Sequence, residues 1–221
     1  MHKQESVFFD IDDTLIRGQS QKFFMSFLYR EEYVSFFFYI RLIAWFLLYQ
    51  LRIIKDPGII TRYAFSFLKN MPRNELIRLV DTFFNEVLIH KFHKEALPLI
   101  AEHKRRGRKI FLVSNAFDSI VSKIACFVDA DGFISTQLEE KEGVLTGQIN
   151  GTINYDEEKV KRVLSFCYDN DISLENSWGY ADHISDIAFL KLFKNSIVVN
   201  PDSVFKKEAT ILGFKILKFK K

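Results

Sequence analysis

Two aspartates, Asp10 and Asp12, follow directly on the apolar run 7–9. Side chains two residues apart along a strand point the same way, so both carboxylates can face one pocket. Packing carboxylates together without a partner costs free energy or raises their pKa. A divalent cation would offset that cost, and one carboxylate could then attack an electrophile. The alternative is an acidic strand-to-turn loop in which Asp13-Thr14 caps the next helix.

Polar side chains also follow two later apolar runs. Residues 109–113 read as a strand that ends in Ser114 and Asn115, and residues 176–180 read as a strand that is followed by Ala181 and Asp182. In open parallel sheets, ligands bind beyond the carboxyl ends of the strands, where the strand order switches. We therefore expect these residues to meet the first acidic pair at one edge of a sheet.

These residue types fit the transfer of a phosphoryl group to a carboxylate. Such a reaction needs a nucleophilic oxygen in line with the phosphorus and positive charge for the other oxygens. Asp10 would attack and form an aspartyl-phosphate, and Asp12 would act as general acid and then as general base. Ser114 and Asn115 would bind phosphoryl oxygens, and Lys159, early in a helix, would bring a positive charge to them.

The same chemistry calls for Mg²⁺, which prefers oxygen ligands. The predicted metal ligands are Asp10, Asp12 through its main-chain carbonyl, and Asp182. Asp186 lies four residues after Asp182 and would accept hydrogen bonds from waters on the cation or hold Asp182 and a lysine in place. Thr14 is predicted to support the same site.

Four parts of the chain resemble, in the same order, the motifs of the haloacid dehalogenase-like (HAD) hydrolases. They are DIDDT (10–14), Ser114 in FLVSNA, Lys159 in DEEKVKR and ADHISD (181–186). The stretches TGQINGTINYDEEKVKRVL and GYADHISDIAFLKLFKNSIVVNP resemble the phosphoserine-phosphatase-like branch, subfamily IB. The resemblance implies a magnesium-dependent phosphomonoester hydrolase. It also implies a helical cap inserted between the first and second motifs. An aspartate at position 12 is what the phosphatases of this family carry.

Four positions depart from the phosphoserine phosphatase pattern. Gln19 stands where those enzymes have a glutamate for the amino group of the substrate, and a neutral amide cannot pair an ammonium charge comparably. Asn115-Ala116 replaces a glycine pair, and Ser185 replaces an asparagine. Gln19 is still expected to contact the substrate. The resemblance therefore covers the catalytic residues but does not identify the phosphorylated substrate.

The elements that must position these residues alternate between apolar strands and amphipathic helices. This alternation predicts an α/β fold with a doubly wound, mostly parallel, Rossmann-like sheet. A chain of 221 residues suits one such domain with a modest insertion. We assign residues 1–16 and 91–221 to the catalytic core and residues 17–90 to the inserted helical cap.

The cap segment is rich in aromatic residues and leans basic. Residues 34–51 are apolar except for Arg41, at the lower limit of length for spanning a bilayer. Three interpretations stay open: helices packed within the cap, shallow insertion into an anionic membrane surface, and a membrane span that Arg41 would make costly. Membrane contact would favour a lipid phosphate such as phosphatidylglycerophosphate or a lysophosphatidate.

Composition narrows the function classes. A net charge of +3 and a pI near 8.7 are too mild to indicate nucleic-acid binding. The N-terminus has no apolar signal region, which predicts a cytoplasmic location, with peripheral contact at the inner membrane left open. A phosphatase of small molecules, a phosphatase of lipid phosphates and a catalytically retired membrane-binding module remain. Both Asp10 and Asp12 argue against the retired module, since a binder needs no acid/base.

Overall fold

The computed structural model describes residues 4–51, 53 and 63–220, so part of the predicted cap lies outside the described residues. The strands of the described part are β1 Ser6–Phe9, β2 Lys109–Phe117, β3 Gly132–Thr136, β4 Leu138–Lys141, β5 Val144–Ile149, β6 Trp178–Ala181, β7 Asn195–Val199 and β8 Lys215–Leu217. Its α-helices include α1 Ser20–Arg30, α2 Phe36–Gln50, α3 Arg73–Glu86, α4 Ala96–Arg105, α5 Asp118–Val128, α6 Glu157–Asp169, α7 Ile187–Leu190 and α8 Ser203–Ile211.

Six strands form one sheet in the order β3-β2-β1-β6-β7-β8, and every pair in it is parallel. The chain moves outward from β1 to β3 and then starts again beside β1 with β6. The strand order therefore switches between β1 and β6, where open α/β sheets bind their ligands. Strands β4 and β5 form a separate antiparallel hairpin. The predicted doubly wound, mostly parallel α/β fold is confirmed.

Strand β1 is apolar from Val7 to Phe9 because both faces of the sheet are covered. Val7 and Phe9 belong to one core cluster, whereas Phe8 belongs to the cluster on the opposite face. All three side chains are fully buried. Successive side chains of a strand point to opposite faces, so a central parallel strand needs an unbroken apolar run. The apolar run ends with the strand at Phe9, and Asp10 is the first residue beyond it.

Helices α1, α2 and α3 stand in the chain between β1 and β2, as predicted for an inserted cap. Two ion pairs join α3 to α5: Arg73 Nη2 lies 2.7 Å from Asp118 Oδ1, and Lys123 Nζ lies 2.6 Å from Asp81 Oδ1. On α1, the ring of Phe24 packs 5.4 Å from that of Phe117, centroid to centroid. Helix α1 thus packs against the end of β2, and α3 packs against α5. The boundaries 17 and 90 stay a prediction.

Helix α2 carries a row of apolar side chains that face solvent. Phe37 is 82% exposed and Leu47 is 51% exposed, and Phe36, Ile40 and Ile43 are exposed as well. Within the described part of the chain, no helix combines the length and the apolar character that crossing a membrane requires.

Gly179 lets an aromatic ring lie directly on β6, two residues before Ala181 and the site. A Cβ at Gly179 would lie 2.1 Å from Cδ2 of Phe193, whose ring packs between those of Phe8 and Phe189. We expect Gly179→Ala to lower the free energy of unfolding by about 1–3 kcal/mol, as measured by urea denaturation. Gly132→Ala is the control, because its Cβ would meet the nearest side-chain atom at 3.3 Å. Equal losses in the two variants would contradict the prediction.

Candidate active site

The first acidic pair lies where β1 ends, and each carboxylate is held differently. The N–H of Asp10 donates to the carbonyl of Tyr180 at 2.9 Å, which ties the end of β1 to β6. Oδ1 of Asp12 accepts the N–H of Ser20, the first residue of α1, at 2.8 Å. The first N–H groups of a helix have no partner inside it, so Asp12 satisfies one of them. The alternative in which Asp13-Thr14 caps this helix is therefore wrong.

Asp13 closes the loop that joins β1 to α1, a role that sequence reasoning missed. Its backbone is left-handed, with φ of 57°, and its N–H donates to the carbonyl of Gly18. Its Oδ1 accepts the N–H of Gly18 at 2.8 Å. Aspartate adopts this conformation more readily than most residues because its short carboxylate bonds the local backbone. The closed loop places Gln19 beside Asp12 at the mouth of the site.

Lys159 lies between two of the aspartates. Its Nζ is 2.8 Å from Oδ1 of Asp10 and 2.8 Å from Oδ1 of Asp186, and the lysine is only 3% exposed. Burial alone would lower the pKa of Lys159, but the two carboxylates outweigh burial and raise it. The lysine is therefore a fixed positive charge beside Asp10.

Three carboxylates converge around this charge. Oxygens of Asp10, Asp182 and Asp186 lie within 4.8 Å of one another, and Thr14 Oγ1 donates to Asp182 Oδ1 at 3.2 Å. Burial, reinforced by Asp10 and Asp186, raises the pKa of Asp182 to about 8. Burial raises the pKa of Asp10 to about 7, even though Lys159 opposes it. One ammonium group does not balance three acids, and oxygen donors at this spacing suit a hard divalent cation.

The carboxylate of Asp12 stands apart from this cluster. Burial raises its pKa to about 6, and the hydrogen bond from Ser20 opposes that rise. In the described residues, the carboxylates that converge are those of Asp10, Asp182 and Asp186. The prediction for Asp12 as a metal ligand concerns its main-chain carbonyl, and it stays a prediction. Asp186, predicted as a supporting residue, brings its own carboxylate to the cluster.

The two predicted phosphate-binding residues at the end of β2 are placed differently. Asn115 lines a pocket of about 240 Å³ that also contains Asp10, Asp12 and Lys159, and we call this space the catalytic pocket. Ser114 is fully buried, and its Oγ accepts the N–H of Ala116 at 3.1 Å. Asn154 holds this turn from the other side, since its Nδ2 donates to the carbonyl of Ser114 at 2.8 Å. Buried Oδ1 of Asn154 has no hydrogen-bond partner among the described residues.

The catalytic pocket brings together most of the predicted residues. Those predicted from the sequence that line it are Asp10, Asp12, Gln19, Asn115, Lys159, Asp182 and Asp186. Further lining residues that sequence reasoning did not assign to the site are Asp13, Gln21, Asn154, Tyr155, His183 and Ser185. The pocket therefore combines the buried carboxylate of Asp10, the carboxylate of Asp12 in a separate environment and the fixed positive charge of Lys159. That set can transfer a group to a carboxylate and then to water.

The chain matches the family model of the haloacid dehalogenase-like hydrolases over residues 7–191, and it belongs to that family. Phosphoserine phosphatase SerB1 of Mycobacterium tuberculosis is 25% identical over 220 residues, which cover 97% of this chain and 71% of that protein. Histidinol-phosphatase of Neisseria meningitidis serogroup C is 25% identical over 169 residues, or 75% of this chain and 76% of that protein.

Solved structures share the fold. A protein of unknown function from Bordetella pertussis Tohama I superposes with a TM-score of 0.88 at 22% identity, over 97% of this chain and 98% of that one. A phospho-aspartyl intermediate analogue of phosphoserine phosphatase superposes with a TM-score of 0.67 at 21% identity, over 99% and 94%. The chain is a phosphoric monoester hydrolase of the phosphoserine-phosphatase-like branch, and the predicted family is confirmed.

Proposed function

We propose that the chain hydrolyses phosphomonoesters in a magnesium-dependent reaction that passes through an aspartyl-phosphate on Asp10. The observation that carries this proposal is the buried cluster at the switch point of the sheet. There Nζ of Lys159 lies 2.8 Å from Oδ1 of Asp10 and 2.8 Å from Oδ1 of Asp186, beside Asp182. A nucleophile, a fixed positive charge and spare oxygen ligands share one small pocket.

In the first half of the reaction, a carboxylate oxygen of Asp10 attacks the phosphorus and the bond to the leaving alcohol breaks. The acid form of Asp12 gives its proton to that alcohol oxygen. In the second half, Asp12 takes a proton from water, and the hydroxide attacks the phosphorus of phospho-Asp10. Asp10 is regenerated and inorganic phosphate leaves. The hydrogen bond from Ser20 N–H fixes Asp12 for both steps.

Charge on the transferring group is neutralised from several directions. Lys159 holds its ammonium beside the nucleophilic oxygen of Asp10, and Asn115 lines the same pocket. Ser114, behind Asn115, contributes through the turn that its Oγ and Asn154 stabilise. Mg²⁺, held by Asp10, Asp182 and the main-chain carbonyl of Asp12 with Asp186 nearby, would add positive charge to the phosphoryl oxygens.

The proposed substrate is a phosphorylated molecule whose alcohol carries no ammonium group near Gln19. The relatives named phosphoserine phosphatase and histidinol-phosphatase support a phosphorylated small molecule. Gln19 lines the catalytic pocket with a neutral amide. An amide forms hydrogen bonds to hydroxyl or ester oxygens but does not neutralise an ammonium charge.

A phosphate-release screen tests the proposal. The panel holds phosphoserine, sugar phosphates, nucleotides, an aryl phosphate and lipid phosphates, each assayed with Mg²⁺ and with excess EDTA. We expect hydrolysis of at least the aryl phosphate, with activity lost in EDTA and restored when Mg²⁺ is added back, because Lys159 alone does not balance the three carboxylates. Undiminished turnover in EDTA would contradict the magnesium requirement.

A further inference from the structure

A second cavity, which we call the cap cavity, lies between α1, α2 and residues 64–67. Its volume is about 430 Å³, within the range of roughly 300–1,000 Å³ that is usual for small-molecule sites. Its wall is mostly apolar and includes Phe24, Met25, Leu42, Phe65, Phe67 and Phe117. The space opens to solvent at Ile43 and Leu47, which are exposed. Its size and its aromatic wall suit a ligand that enters from that side.

The cap cavity adjoins the catalytic pocket. Gln19 and Gln21 line both spaces. On β2, Asn115 lines the catalytic pocket, and Phe117, two residues further on, lines the cap cavity. The two spaces thus meet at the start of α1 and the end of β2. A molecule whose phosphoryl group reaches Asp10 can extend past the two glutamines into the cap cavity.

The chemistry of the wall favours an apolar group over a polar one. Among the described residues, the polar ones that line the cavity are Gln19, Gln21, Lys22, Ser26 and Tyr39. Gln19 and Gln21 also line the catalytic pocket, and Ser26 and Tyr39 hydrogen-bond each other, with 3.2 Å between Oγ and the phenolic oxygen. The other described lining residues are apolar. Ile43 and Leu47 line the cavity and are exposed. Covering such side chains with an apolar ligand removes apolar surface from water, which favours binding. A polar group in the same place would lose water without gaining equivalent hydrogen bonds.

We propose that the substrate is the phosphomonoester of an amphiphilic alcohol, whose apolar chain or ring occupies the cap cavity while the phosphoryl group lies at Asp10. This inference rests on the proposed function, because it places the phosphoryl group in the catalytic pocket. The same chemistry is offered by a free amphiphile in solution and by a lipid in a membrane. The cap cavity recognises the apolar part in both.

The test is a series of straight-chain alkyl phosphates from ethyl to decyl, assayed with Mg²⁺ below their micelle-forming concentrations. One arm uses the free compounds, and the other uses the same compounds held in phosphatidylcholine vesicles. All members have similar leaving groups, so differences in kcat/KM report binding of the chain. We expect kcat/KM to rise by up to roughly fourfold for each methylene buried and then to level off as the cavity fills.

Leu42→Gln tests whether the cap cavity causes this dependence. Leu42 lies in the wall and not among the residues of the catalytic pocket. We expect the variant to flatten the dependence of kcat/KM on chain length, so that its loss relative to the wild type grows with each methylene and is smallest for ethyl phosphate. Leu97→Gln is the matched control, because Leu97 is an exposed leucine on α4 that does not line either space. If Leu42→Gln fails to fold, Ala64→Phe narrows the same cavity and should disfavour the longest chains.

Rising kcat/KM in the free arm that Leu42→Gln flattens supports a soluble amphiphile. A rise that needs vesicles and that Leu42→Gln also flattens supports a membrane lipid. Equal kcat/KM across the series, or a rise that Leu42→Gln leaves intact, would overturn the inference while the phosphatase proposal stands. Absence of magnesium-dependent hydrolysis of every alkyl and aryl phosphate would instead refute the proposed function.

Discussion

Replacing Asp10 with asparagine is expected to abolish magnesium-dependent phosphate release, with kcat for an aryl phosphate reduced by roughly 10⁴-fold or more. An amide oxygen carries no full negative charge and is a poor nucleophile, so no aspartyl-phosphate forms. The variant also leaves Lys159 paired with Asp186 alone. Phosphate release is measured by a colorimetric assay, and the covalent intermediate by mass spectrometry of acid-quenched enzyme.

The loss should come from chemistry and not from unfolding. Burial raises the pKa of Asp10, which means that its ionised form is disfavoured in the folded protein. Asparagine has no charge to bury, so the cost of burying the ionised carboxylate is absent. We therefore expect Asp10→Asn to unfold at no lower urea concentration than the wild type near neutral pH. Asp171→Asn is the matched control, since Asp171 is exposed and its left-handed backbone suits asparagine. Wild-type turnover in Asp10→Asn would refute Asp10 as nucleophile.

The convergence of the acids could be predicted from the sequence because it depends on strand ends. The apolar runs of β1 and β6 are short and end in Asp10 and near Asp182, and the helices between them indicate parallel strands. Parallel strands bring their carboxyl ends to the same edge, so the two aspartates had to be neighbours. Asp186 is predicted from its spacing of four residues after Asp182 and Lys159 from its place early in a helix, and the family resemblance supports both. The structure brings both into contact with each other.

Details that depend on loop paths could not be predicted. Asn154 reaches the carbonyl of Ser114 only because the chain after the β4–β5 hairpin returns to the end of β2. Nothing in the sequence around Asn154 marks it, since an asparagine before a helix is usually a turn residue. Likewise, Asp12 rather than Asp13 meets the first N–H of α1 because the loop closes through Gly18. The apolar walls of the cap cavity read as ordinary core residues in the sequence.

Asp12→Asn is expected to lower kcat for an alkyl phosphate, which needs the proton in both halves of the reaction, by roughly 10²–10⁴-fold with little change in KM. The oxygen of asparagine can still accept the N–H of Ser20, which now lies 2.8 Å from Asp12 Oδ1, so the geometry of the site is retained. The amide cannot give a proton to the leaving alcohol or take one from water. The variant therefore separates proton transfer from positioning, whereas Asp12→Ala would remove both.

The choice of leaving group separates the two proton transfers that Asp12 would perform. 4-Nitrophenolate leaves without a proton, so Asp12→Asn should still be phosphorylated at Asp10 by 4-nitrophenyl phosphate. Hydrolysis of phospho-Asp10 should then be slow, because no base activates the water. We expect stopped-flow absorbance to show a burst of one 4-nitrophenolate per enzyme followed by slow turnover. With an alkyl phosphate, whose leaving alcohol needs the proton, mass spectrometry of rapidly acid-quenched enzyme should show no burst of phospho-Asp10. Equal slowing of both substrates without a burst would place Asp12 outside proton transfer and assign it to holding the start of α1.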